Sequence, residues 1–248
     1  MIIPCQQNSL QTLNSRLKFK QILPLLKQIC ILCASHEGGE LGICKPCLND
    51  LTWHNSPQCP QCGLISDGSI CGSCLKAPPS FDATHALFSY DYPVDKLLQH
   101  YKYKETLHLA NTFAALLTNK IQPSTHSHKI DRIIPMPMHA TRLKQRGFNQ
   151  ALEVARLLGN NMQIKLDYQS CQRIKYTPPQ ASLSLKERIK SIRGVFNCAQ
   201  SLQGLNIVLV DDVMTTGASL NELAKTLKQA GATHVECWVI ARTLPKPY

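Results

Sequence analysis

Two carboxylates and a run of small, hydroxyl-bearing residues follow an apolar segment near the end of the chain. The segment 206–210, apolar from Ile207 onward, leads directly into Asp211 and Asp212, and residues 215–219 read Thr-Thr-Gly-Ala-Ser. Backbone N–H groups and hydroxyls at the start of a helix bind phosphate, and a glycine lets the backbone approach it closely. Since two carboxylates repel phosphate, we interpret them as acceptors for ribose hydroxyls. The segment predicts a ribose phosphate site; an acidic turn that caps the helix is the alternative.

Eight of the twelve cysteines form four Cys-x-x-Cys pairs between residues 30 and 74. Each pair places two thiolates on one tight turn, and two such turns complete a tetrahedral zinc site. We therefore predict two structural Zn²⁺ ions. The simplest pairing joins the first pair with the second and the third with the fourth, and a cross-braced pairing stays open. The predicted ligands are Cys30, Cys33, Cys44, Cys47, Cys59, Cys62, Cys71 and Cys74.

The positive charge is concentrated in one region. The formal net charge is +11, and residues 131–200 hold twelve Lys and Arg against four Asp and Glu. Such a region attracts phosphates or nucleic acid, with an ordinary basic surface as the alternative. We predict that the loop 135–139, flanked by Arg142, Lys144 and Arg146, cradles a phosphate-bearing anion. A segment that carries Lys186, Arg188 and Lys190 is expected to close over it. An ordinary surface role is favoured for three lysines: Lys144, Lys165 and Lys190.

Aromatic and basic residues alternate at positions 101–104, which read Tyr-Lys-Tyr-Lys. Such mixtures are typical of surfaces that stack on single-stranded nucleic acid. Adjacent positions of a helix do not share a face. The favoured interpretation therefore places Tyr101 in the core, with Lys102 and Lys104 in water.

These residues need a scaffold, and the chain pattern indicates alternating strands and helices. Strands are predicted at 86–90, 132–135, 163–166, 206–210 and 234–241, and helices at 17–28, 94–117, 141–158 and 219–230. The alternation predicts an α/β fold with a parallel sheet covered on both faces and ligands at the carboxyl ends of its strands. The predicted segments are 1–29 (N-terminal helix or extension), 30–76 (cysteine module), 77–129 (linker strand and helix region) and 130–248 (α/β domain).

Targeting signals and cysteine usage predict the location of the protein. Neither a transmembrane stretch nor a secretory signal is evident. Thiolate zinc sites suit a reducing compartment. We expect a cytoplasmic protein without a membrane span.

The segment 208–219 resembles the phosphoribosyl pyrophosphate (PRPP) signature of type I phosphoribosyltransferases. The resemblance implies a Rossmann-type parallel sheet of that family, here with an N-terminal zinc-ribbon module. It also implies that Asp211 and Asp212 hold the ribose 2′- and 3′-hydroxyls, that residues 215–219 wrap the 5′-phosphate, and that Mg²⁺ accompanies PRPP. The predicted PRPP-binding residues are Asp211, Asp212, Val213, Met214, Thr215, Thr216, Gly217, Ala218, Ser219, Pro137, Met138, His139, Arg146 and Arg188.

From about Cys30 onward, the chain resembles ComF-like (ComFC or GntX-like) competence proteins. The resemblance rests on the cysteine pairs, Tyr-Lys-Tyr-Lys, Pro-Met-Pro, Arg-Gly-Phe-Asn-Gln, the loop with Gln180 and Arg188, and the Ala-Arg after the last strand. It implies a role in natural transformation, with PRPP, single-stranded DNA and other proteins of the competence machinery as partners. The candidate DNA-binding residues are Lys102, Lys104, Arg142, Lys144 and Lys186.

The alternative function is a phosphoribosyltransferase that moves phosphoribose to a nucleobase and releases pyrophosphate. Its catalysis would consist of positioning and of charge stabilisation around an oxocarbenium-like centre. The sequence shows the ligand-binding half of such a site and no element that identifies a base. Catalytic residues are therefore not assigned.

Overall fold

The computed structural model describes residues 28–102, 106–121, 129–177 and 191–245. The strands are β1 (Ala83–Ser89), β2 (Arg132–Pro135), β3 (Lys165–Leu166), β4 (Cys171–Arg173), β5 (Phe196–Cys198), β6 (Asn206–Met214) and β7 (His234–Arg242). Five of them form one sheet in the order β1-β7-β6-β2-β3, and all neighbours are parallel. The predicted parallel α/β architecture is confirmed. Strands β4 and β5 form a separate antiparallel pair that the sequence pattern did not predict.

Helices cover both faces of the sheet. They are α1 (Lys45–Asn49), α2 (Gly72–Lys76), α3 (Val94–His100), α4 (Leu109–Lys120), α5 (Ala140–Arg146), α6 (Gln150–Met162) and α7 (Ala218–Gln229). On one face, Val208 and Val210 of β6 share a core with Phe113 of α4. On the other face, Leu209 packs in a core with Leu223 of α7. Strands buried on both faces need apolar residues at nearly every position, which explains the continuous apolar run of β6.

The single helix predicted at 94–117 is wrong, because α3 ends at His100 and α4 begins at Leu109. Tyr101 is the C-cap of α3 and is fully buried, and its hydroxyl donates a hydrogen bond to the Gln150 carbonyl at 2.9 Å. Tyr101 and Leu109 lie in the same core. The apolar periodicity continues across the break, and for this reason the sequence pattern did not predict it.

The helix predicted at 141–158 is also two helices. Gly147 has φ 83° and ends α5 in the left-handed conformation that glycine adopts readily. Asn149 then caps α6, because its side chain accepts hydrogen bonds from the Ala151 and Leu152 amides at 3.0 and 3.4 Å. The break lets the Asn149 amide donate to the Met136 carbonyl at 3.1 Å, which ties the start of α6 to the end of β2.

Strand β6 is longer than predicted and ends at Met214, so Asp211 and Asp212 are strand residues. The predicted strands at 86–90, 163–166 and 234–241 are present as β1, β3 and β7 with shifted ends. The predicted helix at 17–28 lies almost entirely outside the described residues. Within the described residues, no helix is long and apolar enough to cross a membrane.

Candidate functional site

A cleft opens at the carboxyl edge of the sheet because neighbouring strands end at different heights. Strand β2 ends at Pro135, which is paired with Val210, whereas β6 continues beside β7 to Met214. The cleft encloses about 320 Å³, within the range of small-molecule sites. Its position is the one at which open parallel sheets bind ligands.

The acidic wall of the cleft is formed by Asp211 and Asp212, both half-buried. The Asp212 amide donates to the Asp211 carboxylate at 2.9 Å, and the Val213 amide donates to the Asp212 carboxylate at 2.8 Å. Burial and then the charge of Asp212 raise the pKa of Asp211 well above its usual range, and Arg173 opposes this shift. Hydroxyl donors or a cation in the cleft would stabilise the ionised pair.

The basic wall contains Arg142, Arg146 and Arg173. Burial and the charge of Arg142 lower the pKa of Arg146 and of Arg173, but an arginine side chain stays protonated near neutral pH. Arg146 donates to the Gln150 side-chain oxygen at 2.8 Å, and Arg173 donates to the Thr177 hydroxyl. The ion pairs formed between described residues involve none of the three arginines. Their charge is therefore available to an anionic ligand.

Two aromatic rings lie at the rim of the cleft. The rings of His139 and Tyr176 are 5.5 Å apart between centroids and tilted by 55°. Tyr176 is exposed, while His139 caps α5 by accepting a hydrogen bond from the Thr141 amide at 3.2 Å. Such a pair offers π-faces on which a planar base could stack.

The structure brings most of the predicted PRPP-binding residues to this cleft. Those that line it are Pro137, Met138, His139, Arg146, Asp211, Asp212, Val213, Thr215 and Ser219. Four others, Met214, Thr216, Gly217 and Ala218, line a neighbouring cavity beside the last cysteine pairs. Met214 is buried inside the turn, where a Cβ on Gly217 would lie 2.8 Å from its Cε. Arg188 lies outside the described residues.

Some of the candidate DNA-binding residues also lie at the cleft, and others do not. Lys102 and Arg142 line the cleft, and Lys144 is exposed on α5. Lys104 and Lys186 lie outside the described residues. The core position expected for Tyr101 is confirmed.

Sequence reasoning missed several residues of the cleft, namely Tyr90, Asn149, Arg173 and Tyr176. Asn149 carried a usable signal, because an asparagine two residues after a glycine can start a new helix. Arg173 lies in the basic region, but its sequence neighbours did not distinguish it from the other basic residues there. Nothing in the local pattern connects Tyr90, at the end of β1, with Asp211.

The eight paired cysteines form two clusters: Cys30, Cys33, Cys44 and Cys47 in the first, and Cys59, Cys62, Cys71 and Cys74 in the second. Within each cluster the sulfur atoms lie within 4.8 Å of one another. The Cys33–Cys44 and Cys62–Cys71 sulfur distances are 3.6 and 3.7 Å. Four sulfurs bound tetrahedrally at about 2.3 Å from Zn²⁺ are about 3.8 Å apart. Both clusters therefore fit structural zinc, and the simplest pairing is confirmed.

Two family models match the chain. Residues 143–246 match the phosphoribosyl transferase domain, and residues 21–76 match the double zinc ribbon domain. The first match includes the acidic wall of the cleft, and the second includes both cysteine clusters. The predicted phosphoribosyltransferase-like sheet with an N-terminal zinc-ribbon module is thus confirmed.

Relatives share nearly the full length of the chain. Competence protein F of Haemophilus influenzae is 31% identical over 222 residues, which are 86% of this chain and 96% of that protein. DNA utilization protein YhgH of Salmonella typhimurium is 33% identical over 222 residues, 87% of this chain and 97% of that protein. Competence protein ComFC of Bacillus subtilis is 25% identical over 244 residues, 88% of this chain and 96% of that protein.

Proposed function

Because this chain belongs to the ComF family of competence and DNA utilization proteins, we propose that its cleft binds PRPP with Mg²⁺ and that the protein handles single-stranded DNA in natural transformation. The observation that carries the proposal is the cleft itself. One wall holds two adjacent carboxylates, and the other holds three arginines without a carboxylate partner among the described residues. A ligand that carries several hydroxyl groups at one end and several negative charges at the other would match the acidic and the basic wall respectively.

The ribose of PRPP is assigned to the acidic wall. Asp211 and Asp212 each keep carboxylate oxygen free to accept hydrogen bonds besides those from the neighbouring amides. Burial and the neighbouring charge of Asp212 disfavour the ionised form of Asp211. Two hydroxyl donors from one ribose would stabilise the two ionised carboxylates. The 5′-phosphate is assigned to Thr215 and Ser219, next to the start of α7.

The pyrophosphate is assigned to the basic wall. Arg146 and Arg173 are partly buried, where their attraction to an anion is less screened than at the surface. Mg²⁺ on the ligand would supply further charge neutralisation, and the carboxylates of the cleft are the oxygen ligands that this ion prefers. The chain's own residues orient the ligand between the two walls.

Single-stranded DNA is assigned to the basic surface that continues from the cleft. Lys102 and Arg142 lie at the cleft, and Lys144 is exposed on the same short helix as Arg142. The ring pair His139–Tyr176 lies beside them and provides π-faces for unpaired bases. A cytoplasmic location fits this proposal and the eight thiolate ligands.

A phosphoribosyltransferase is a second candidate, and the same ring pair favours it. His139 and Tyr176 at the rim could hold a nucleobase next to the ribose carbon that would receive it. Pyrophosphate release in the presence of Mg²⁺, PRPP and each nucleobase tests this function. Turnover with any base supports the transferase, and binding of PRPP without turnover with any base contradicts it.

Calorimetric titration of Mg²⁺ and PRPP into an Asp211→Asn/Asp212→Asn variant tests the proposed ligand. We expect affinity to fall roughly 100-fold or more, because each hydrogen bond to a charged group contributes about 1.5–3 kcal/mol. The melting temperature should stay equal or rise, since the variant removes repulsion between two adjacent, half-buried carboxylates. Asp50→Asn, an exposed change of the same kind, is the control. Wild-type affinity in the double variant would refute the site.

Titration of single-stranded DNA over a salt series tests the proposed nucleic-acid surface. We expect affinity to fall with salt, and a Lys102→Gln/Arg142→Gln variant to show a slope lower by roughly one unit per lost phosphate contact. Lys165→Gln removes a charge from the exposed edge strand β3 and should leave the slope close to that of the wild type. Equal slopes in all three proteins would place the DNA elsewhere.

A further inference from the structure

Arg242, the last residue of β7, joins the second cysteine cluster to the turn after β6. Its side chain is buried, with 3% of the residue exposed. Its Nε donates to the carbonyl of Cys62, a predicted zinc ligand, at 2.8 Å. One of its terminal nitrogens donates to the carbonyl of Met214 at 2.9 Å and to that of Thr215. A single guanidinium therefore bridges a metal ligand and the proposed phosphate-binding segment.

These contacts hold two peptide units of the phosphate-binding segment, the first of them together with the Thr243 amide, which donates to the same Met214 carbonyl at 3.0 Å. In a trans peptide the C=O and the following N–H point in opposite directions. Because the carbonyls of Met214 and Thr215 point toward Arg242, the N–H groups of Thr215 and Thr216 point away from it and from the cysteine cluster. Backbone N–H groups aligned in this way form the donor set that binds phosphate.

Metal occupancy fixes the acceptor that Arg242 uses. Zinc would hold the backbone turn of Cys62, whose carbonyl is the acceptor for Nε. Four thiolates with one Zn²⁺ would also carry a net charge of about −2, which attracts the buried guanidinium. Loss of the metal would leave the Cys62 turn unfixed, and this would free Arg242 from one end of its bridge.

Among the described residues, no hydrogen bond joins a cysteine of the first cluster to a residue that lines the cleft. Cys30 and Cys44 belong to the core that contains α4, and the Leu41 carbonyl of that module accepts a hydrogen bond from Thr112 at 2.6 Å. Arg242, by contrast, donates a hydrogen bond to the Cys62 carbonyl of the second cluster. The two clusters, each of four cysteines, thus differ in the residues that connect them to the rest of the protein.

We propose that Arg242 is a positioning residue through which zinc in the second cluster and PRPP in the cleft bind cooperatively. The proposal rests on the proposed PRPP site. Coupling between sites is reciprocal, so the ligand must stabilise the zinc as much as the zinc favours the ligand. Arg242 does not line the cleft, and the role assigned to it acts through the carbonyls that it holds.

The test measures the equilibrium transfer of zinc from the full chain to a chromogenic chelator, with and without Mg²⁺ and PRPP. The transition that belongs to the second cluster is the one missing in Cys71→Ser. In the wild type we expect PRPP to raise the chelator concentration needed for that transition about fivefold or more, the lower range of known couplings, and to leave the first cluster's transition unchanged. Both transitions are read in one titration, so the first cluster is an internal control.

Arg242→Lys separates the role of the bridge from that of the fold. A lysine keeps the charge but cannot present nitrogens to Cys62, Met214 and Thr215 together. We expect this variant to retain two zinc ions, to bind PRPP about fivefold more weakly, and to lose the effect of PRPP on zinc release. Arg132→Lys makes the same exchange in β2, where Arg132 pairs with Asp167 at 2.8 Å, and should keep the effect.

The outcomes separate this proposal from the proposed function. If calorimetry shows no PRPP binding to the wild type, the PRPP site and the coupling are both overturned. If PRPP binds but both clusters transfer zinc at unchanged chelator concentrations, only the coupling is overturned. If Arg242→Lys keeps the PRPP effect on zinc release, the coupling does not pass through Arg242.

Discussion

The two cysteine clusters have the same four ligands and nearly the same spacing, but they are attached to the sheet in different ways. In the first, Cys30 and Cys44 are buried in the same core as Phe88 and Phe113. In the second, Cys59, Cys62 and Cys74 form a small core of their own. The first cluster is an extension of the main hydrophobic core, whereas the second is not.

Hydrogen bonds attach the second cluster to the sheet. The Thr84 amide and hydroxyl of β1 donate to the Pro60 and Gln61 carbonyls at 3.0 and 2.6 Å. Arg242 of β7 donates to Cys62 at 2.8 Å. Two clusters with the same ligand type can therefore have different surroundings. We expect the cluster within the core to contribute to global stability, and the cluster attached by hydrogen bonds from β1 and β7 to position the turn after β6.

The largest expected difference between the clusters is seen when each loses a buried ligand. Cys44→Ser should lower the free energy of unfolding by about 4 kcal/mol or more, because it removes a metal and opens the main core. Cys74→Ser should cost clearly less in global unfolding, because its small core can open locally. Urea unfolding followed by circular dichroism measures both. Equal losses would contradict the division between core and attached cluster.

A smaller difference is expected from two glycines with matched backbone. Gly63 in the second module and Gly42 in the first have φ of 68° and 66°. A Cβ at Gly63 would lie 3.1 Å from Thr84 Cγ2, whereas at Gly42 the nearest atom is 3.5 Å away. Both alanine variants should lose about 1–2 kcal/mol for the left-handed conformation.

Gly63→Ala should lose additional stability and should also weaken PRPP binding, because it pushes the second module away from β1 and Arg242. Thermal unfolding and PRPP titration of the two variants provide the comparison. If Gly42→Ala weakens PRPP binding as much as Gly63→Ala does, the specific link between the second module and the cleft is refuted.

The smallest effect is expected from removing one hydroxyl at each attachment. Thr112 and Thr84 are both buried, and each donates at 2.6 Å to a carbonyl of one module, Leu41 and Gln61 respectively. Thr112→Val and Thr84→Val should each cost about 1 kcal/mol of stability. Only Thr84→Val should also weaken PRPP binding, by roughly twofold. Identical PRPP affinities would show that this bond does not help to position the turn.

The sequence was sufficient where the controlling interactions are local. Cysteine spacing predicted both clusters, because two thiolates on one tight turn are set by a few neighbouring residues. The apolar run before Asp211 predicted a buried parallel strand with carboxylates at its end, since burial on both faces demands that pattern. The breaks after His100 and at Gly147 were missed, because the apolar periodicity runs through them.

Only the tertiary structure brought together residues that are distant in the chain. Tyr90 and Asp211 lie near each other because parallel strands end at one edge of the sheet. Arg146, from α5, and Arg173, from the separate antiparallel pair, reach the same cleft through the packing of those elements against that edge. The bridge of Arg242 from Cys62 to Met214 depends on the pairing of β6 with β7 and on the docking of the second module. Local patterns determine which groups can bind metal or phosphate. Packing of the whole chain decides which of them act on one another.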